Sequence, residues 1–150
     1  MRGPSGGSVI VEYADFECHY CALARRRLDD TGLRLAFRHF PVKSKHPRAW
    51  AAACAAEAAA LQGRFWEMHD ALFADRGRLE DPHLWQRARD LGLDVARFDA
   101  DRRSEPVATR ITRDFRDGLR AGVVTTPTLV VDGQLHPGLP ERGLLSRLAR

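Results

Sequence analysis

The sequence has no apolar run approaching the roughly eighteen residues that a bilayer-spanning helix requires. Its opening residues, Met1-Arg2-Gly3-Pro4-Ser5-Gly6-Gly7-Ser8, contain no apolar core of a secretion signal. A chain with these features is expected to be soluble and cytoplasmic as given. A processed or truncated form of a periplasmic or extracytoplasmic protein would look the same. Only three cysteines occur, an odd number that fits poorly with the rigid disulfide scaffold of a small secreted protein. Neither charge sign dominates, since 24 Lys and Arg stand against 20 Asp and Glu for a net charge of +4. The densest basic run, Arg25-Arg26-Arg27, carries no interleaved aromatics, which describes a solvated face and argues against nucleic-acid binding. Neither Cys-x-x-Cys nor His-x-x-x-His recurs, so the second close ligand pair of a structural zinc site is missing.

What is present is one dithiol in an informative place. Phe16-Glu17-Cys18-His19-Tyr20-Cys21 directly follows the apolar stretch Val9-Ile10-Val11-Glu12-Tyr13. Cys18 therefore falls where a buried strand hands over to a helix, and unpaired N–H groups at a helix start favour a thiolate. Cys18 is the expected nucleophile. Cys21, one turn further on the same face, is the expected resolving thiol. The remaining cysteine, Cys54, sits in Ala51-Ala52-Ala53-Cys54-Ala55-Ala56 and reads as a small buried apolar residue.

At 150 residues and 44% apolar content, the chain suits a single compact domain. Periodicity predicts a strand at 9–13, a helix over about 18–30 closed by Gly32, and a second strand over 33–40 ended by Pro41, with a parallel crossover between the strands. From about His46 to Ala121 the pattern is helical. Pro47 starts an Ala-rich helix that Gly63 ends, and Phe65, Met68, His69 and Leu72 mark the next. Asp81-Pro82 reads as an N-cap and first-turn proline with Gly92 as the stop, and Asp94 starts a short helix. A longer helix begins at Ser104-Glu105-Pro106. Its Val107, Ile111, Phe115 and Leu119 are expected inside, and Arg110, Arg113, Asp114, Arg116 and Asp117 outside. Thr128-Leu129-Val130-Val131, the turn Asp132-Gly133 and Gln134-Leu135-His136 form a hairpin, followed by a short helix from about Pro140. The order β-α-β, helical block, β-β-α is an α/β thioredoxin fold with a helical insertion at about 46–121. The Gly/Ser-rich first eight residues are expected to be mobile.

Asp15-Phe16-Glu17-Cys18-His19-Tyr20-Cys21 resembles the active-site segment of the compact DsbA-like thioredoxin-fold oxidoreductases, and the likeness continues through residues 37–41, 63–70 and 122–128. The resemblance implies a thiol–disulfide oxidoreductase that acts on protein thiols and disulfides through a mixed disulfide, with an unidentified redox partner and no metal or organic cofactor. It also implies that Pro127 is cis and lies beside the dithiol, with Thr126 presenting its backbone to substrate. Thioredoxin-like proteins place a buried acid beneath the dithiol, and Glu12, six residues before Cys18, matches that position. Burial would raise its pKa and suit it to exchange a proton with Cys21. Many relatives have Pro-Tyr or Pro-His between the cysteines, whereas here His19-Tyr20 occupies the gap. A cationic or hydrogen-bonding His19 would stabilise the Cys18 thiolate and make the couple more oxidising.

Two other readings compete. One is a metal site built from Cys18, Cys21 and Cys54 with His19 or His39. The other is a glutathione-dependent thiol enzyme on the same core, which would ordinarily use one catalytic residue rather than a pair. Nothing in the sequence marks an oligomer interface, so a monomer is the default expectation.

Overall fold

The computed structural model describes residues 1–6 and 8–150. Strand β1 (Val9–Ala14) leads through a short loop into helix α1 (His19–Asp29), and strand β2 (Arg34–His39) follows. Five helices come next: α2 (Ala49–Ala60), α3 (Phe65–Ala74), α4 (Asp81–Asp90), α5 (Val95–Arg102) and α6 (Glu105–Ala121). The chain closes with the hairpin β3 (Thr128–Val131) and β4 (Gln134–Pro137) and helix α7 (Arg142–Leu148). The sheet order is β2-β1-β3-β4, with β1 and β2 parallel and the other pairs antiparallel.

Side-chain alternation along β1 divides its residues between two layers. Ile10 packs with Leu35, Leu129 and Val131 against Leu28 of α1 and Leu145 of α7. On the opposite face, Tyr13 and Phe40 meet Val123, and Phe115 of α6 packs against them. The insertion forms its own core around α2, whose alanines are buried nearly all round and allow α3, α5 and α6 to approach closely. That core runs into the sheet through Phe16, which stacks on Phe37 with ring centroids 5.1 Å apart and meets Phe73 at 4.8 Å.

Most expected elements are found within a residue or two of their expected ends, and three details differ. Asp81 is the first residue of α4 rather than its cap, because Glu80 takes the extended N-cap conformation. In α6, Leu119 is 52% exposed, while Asp114 and Gly118 are buried. A strict four-residue repeat drifts around a 3.6-residue helix, so the inward stripe moves from Val107 and Ile111 to Asp114 and Gly118. Buried Asp114 accepts the His39 backbone N–H at 3.2 Å and the Arg110 side chain at 3.3 Å. Thirdly, the start of the chain is tied down at Arg2, which exchanges backbone hydrogen bonds with Leu35 in both directions. The Arg2 guanidinium also reaches Asp70 and lies 5.0 Å from the Trp66 ring centroid. Gly7, part of the segment expected to be mobile, lies outside the described residues.

Gly118 lets α6 seat on the sheet. A Cβ there would lie 2.8 Å from a Phe40 ring carbon and 2.9 Å from one of Tyr13. Overpacking of this kind costs about 1–3 kcal/mol and exceeds the roughly 1 kcal/mol that alanine gains over glycine in helix propensity. Gly118→Ala should therefore lower the unfolding free energy by about 1 kcal/mol in urea denaturation; an equal or higher value would contradict this seating.

Candidate active site

The loop between β1 and α1 is fixed from one buried carboxylate. Asp15 has a fully buried side chain, and its Oδ1 accepts the Glu17 N–H at 2.8 Å, the two-residue hydrogen bond of an Asx turn. Its Oδ2 accepts the Val42 N–H and meets His46 Nδ1, both at 2.9 Å, and its carbonyl accepts the Cys18 N–H at 3.1 Å. Cys18 is thereby held as the N-cap of α1, with φ −72° and ψ 123°. Phe16, two residues earlier, packs its ring on Phe37 and Phe73 in the core that also holds Cys18.

At the N-cap, Cys18 Sγ accepts the Cys21 N–H at 3.3 Å and lies 3.6 Å from the Thr126 carbonyl oxygen. Hydrogen bonding from the Cys21 side chain is the largest influence on Cys18, and burial opposes it. With further help from the Thr126 side chain and the Cys21 backbone, the Cys18 pKa falls from 9.0 to about 6. Cys21 is fully buried, and desolvation, reinforced by the neighbouring Cys18, raises its pKa well above the ordinary value. The two sulfurs are free thiols of opposite character, one reactive and one protonated.

Glu12 lies on the face of β1 that carries Ile10 and Ala14, paired in register with Phe37 and Leu129. It is 3% exposed and its Oε1 has no hydrogen-bond partner. Desolvation raises its pKa to about 8; the charges of Asp29 and Cys18 add to the rise, and Arg25 opposes it. The carboxyl is therefore protonated at neutral pH.

The Thr126–Pro127 peptide bond is cis. Gly122 ends α6 in the left-handed conformation, φ 95°, and Val123 is buried while donating its N–H to Gly118. The chain is thus turned so that Thr126 arrives beside Cys18. On the outside of the site, His19 is exposed and Tyr20 is 59% exposed, their rings meeting edge to face at 5.6 Å. Among the described residues neither side chain hydrogen-bonds to Cys18 Sγ. His19 Nδ1 instead faces Arg76 Nη2 at 3.3 Å. The groups that lower the Cys18 pKa most are Cys21 and Thr126, not the dipeptide between the cysteines.

Four residues without an expected role help build the loop: Asp15, Glu17, Arg48 and Arg76. The Glu17 carboxylate accepts the Arg48 backbone N–H at 2.8 Å and Arg48 Nε at 3.1 Å. Arg48 continues to the Gly77 carbonyl at 2.8 Å, and Arg76 donates to the Glu17 carbonyl at 3.2 Å. The Asx-turn pattern at Asp15 is the one local signal that could have revealed any of these roles.

Cys54 is buried against Val107 and Ile111, in a cluster separate from Cys18 and Cys21, and burial raises its pKa to about 11. Among the described residues no three His, Cys, Asp or Glu side chains gather as metal ligands. Among the described residues no helix is long and apolar enough to cross a membrane.

The family model described as "DSBA-like thioredoxin domain" matches residues 9–147. The chain is 45% identical to Na(+)/H(+) antiporter NhaA 3 of Salinispora tropica, with 92% of this chain and 22% of that protein covered. It is 43% identical to Na(+)/H(+) antiporter NhaA of Herminiimonas arsenicoxydans over 89% of this chain and 22% of the antiporter. The chain thus spans less than a quarter of the length of these curated relatives. Among solved structures, a thioredoxin-like oxidoreductase from Silicibacter pomeroyi DSS-3 superposes with a TM-score of 0.86 at 28% identity, covering 97% of this chain and 86% of that one. The thiol-disulfide exchange protein alpha-DsbA2 from Wolbachia pipientis shares the fold with a TM-score of 0.86 at 18% identity, covering 98% and 83%.

The raised Glu12 pKa has a stability consequence with a definite sign. The folded protein holds a proton on Glu12 up to about pH 8, whereas the unfolded chain releases it near 4.5. Wild-type stability therefore loses about 1.4 kcal/mol per pH unit on this account as pH rises through that window. Glu12→Gln should gain on wild type across the window and show a constant difference below it. Urea titrations of both proteins at stepped pH check this, and a difference independent of pH would mean that Glu12 is not buried as described.

Proposed function

The chain belongs to the DSBA-like thioredoxin domain family, and on that premise we propose that Cys18 and Cys21 are the redox pair of a thiol–disulfide oxidoreductase acting on protein thiols. The observation that carries this reading is the contrast between two adjacent sulfurs: Cys18 is lowered to about 6 at a helix N-cap, while buried Cys21 is raised. In the oxidised protein, a substrate thiolate attacks Cys18 Sγ, the Cys18–Cys21 bond breaks, and a Cys18–substrate disulfide forms. Cys21 departs with the electron pair and takes up a proton, for which Glu12, protonated at neutral pH, is the candidate donor. A second substrate thiolate then attacks the substrate sulfur. Cys18 leaves as its stabilised thiolate, and the net change is one substrate disulfide formed and one protein dithiol reduced. Thr126, beside Cys18 and next to cis Pro127, is the proposed site where an extended substrate chain lies during these steps.

The lowered Cys18 pKa favours the oxidising direction. At pH 7 a fall in the Cys18 pKa from 9.0 to about 6 favours the reduced form about tenfold, or about 1.4 kcal/mol, and moves the couple by about 30 mV towards oxidant. An oxidant needs a reoxidising partner. This favours an extracytoplasmic setting over the cytoplasmic one expected from the opening residues.

Equilibration in glutathione buffers of graded ratio tests the reading. A two-electron transition of Cys18 and Cys21 near or above the glutathione couple is expected, with loss of the transition in Cys18→Ser and a trapped mixed disulfide in Cys21→Ser. No transition in the wild type would overturn the assignment. In the same system, Glu12→Gln should slow formation of the mixed disulfide by the oxidised protein, the step in which Cys21 leaves, by about tenfold or more and change its pH profile; an unchanged profile would remove Glu12 from the mechanism.

A further inference from the structure

Arg76 lies in the connection between α3 and α4 and contacts the residues on either side of the nucleophile. It donates to the Glu17 carbonyl at 3.2 Å and lies 3.3 Å from His19 Nδ1, so the guanidinium holds the residues on both sides of Cys18. A guanidinium has no acceptor, so His19 Nδ1 accepts and the imidazole proton sits on Nε2. Among the described residues Arg76 has no carboxylate partner, because the nearby acids are engaged elsewhere. Glu17 and Glu80 pair with Arg48, Asp75 lies 3.6 Å from Arg78, and Asp15 is buried among its own donors. Arg76 is therefore a half-buried cation pinned beside the two neighbours of Cys18 and free of any carboxylate, and exposed His19 adds an Nε2–H donor beside it. Across the mouth the chain carries Val124, 86% exposed, and Thr125 and Thr126, all uncharged.

From this arrangement we propose that Arg76 and His19 form a binding site for a carboxylate carried by the substrate chain next to its reacting cysteine. The preferred substrates are then extended segments with Asp or Glu flanking the cysteine. The proposal rests on Cys18 being the nucleophile. A carboxylate at this position meets a cation already fixed by two hydrogen bonds, so little side-chain ordering opposes binding, and the interaction is charge-assisted. Partial solvent exposure limits the preference to about three- to fivefold, the range of exposed ion pairs.

The test uses the reduced protein and three peptides, each with one cysteine held as a 2-thiopyridyl disulfide and flanked by Glu, by Lys or by uncharged residues. The Cys18 thiolate attacks the peptide sulfur and a Cys18–peptide disulfide forms. The pyridyl disulfide breaks, and 2-thiopyridone leaves with the electron pair and takes a proton from water, which gives an absorbance signal. At low salt the Glu peptide should react about three- to fivefold faster than the Lys peptide. That ratio should shrink towards one at high salt, persist in Arg76→Lys and collapse in Arg76→Gln. Equal rates for the Glu and Lys peptides on wild type at low salt would overturn the proposal, as would a ratio unchanged in Arg76→Gln with both peptides slowed alike. If no peptide releases thiopyridone, the uncharged one included, the nucleophile assignment itself fails and the proposal falls with it.

Discussion

The arrangement of this protein depends on one buried carboxylate. Asp15 has no exposed side-chain surface, and a carboxyl group in that position is tolerable only when hydrogen bonds replace its lost hydration. Glu17, Val42 and His46 supply them, and the last two lie on the chain leaving β2. The need to satisfy Asp15 therefore joins the ends of two parallel strands and sets the turn that presents Cys18. Removing the carboxylate would leave two backbone N–H groups without partners at the point where the nucleophile is positioned.

From that turn, chemical asymmetry follows from a few ångströms of depth. Cys18 is at the helix cap, where a backbone N–H and neighbouring side chains stabilise negative charge. Cys21 is one turn deeper among apolar residues, where the same charge is penalised. Glu12 lies in the strand beneath, protonated for the same reason that Cys21 is. The helical insertion takes part as well: Arg48 at the start of α2 and Arg76 after α3 both bind Glu17, so the insertion braces the loop that carries the nucleophile.

Much of this was legible in local pattern. Strand alternation and helix stop signals located nearly every element, and the Cys18–Cys21 spacing after a buried strand marked the dithiol and its helix N-terminus. The errors share a physical origin. Leu119 is apolar and at a four-residue spacing, yet helix geometry rotates it outward and brings Asp114 inward, where His39 can satisfy it. Arg2 belongs to a Gly/Ser-rich stretch, yet an open strand edge at Leu35 and a carboxylate at Asp70 hold it. Local composition carries no information about partners so distant in sequence.

The fold class, the pair of cysteines and their helix-start position are local properties, because they follow from periodicity and from spacing within a single turn. What surrounds the sulfurs is set by packing between distant segments. Thr126 reaches Cys18 from 108 positions away, and Arg76 meets His19 across 57 positions. A local pattern cannot encode such contacts, since they arise when separately formed layers pack. The low pKa of Cys18 and the burial of Glu12 depend on that same packing, because desolvation and hydrogen bonding are properties of the assembled site rather than of the motif.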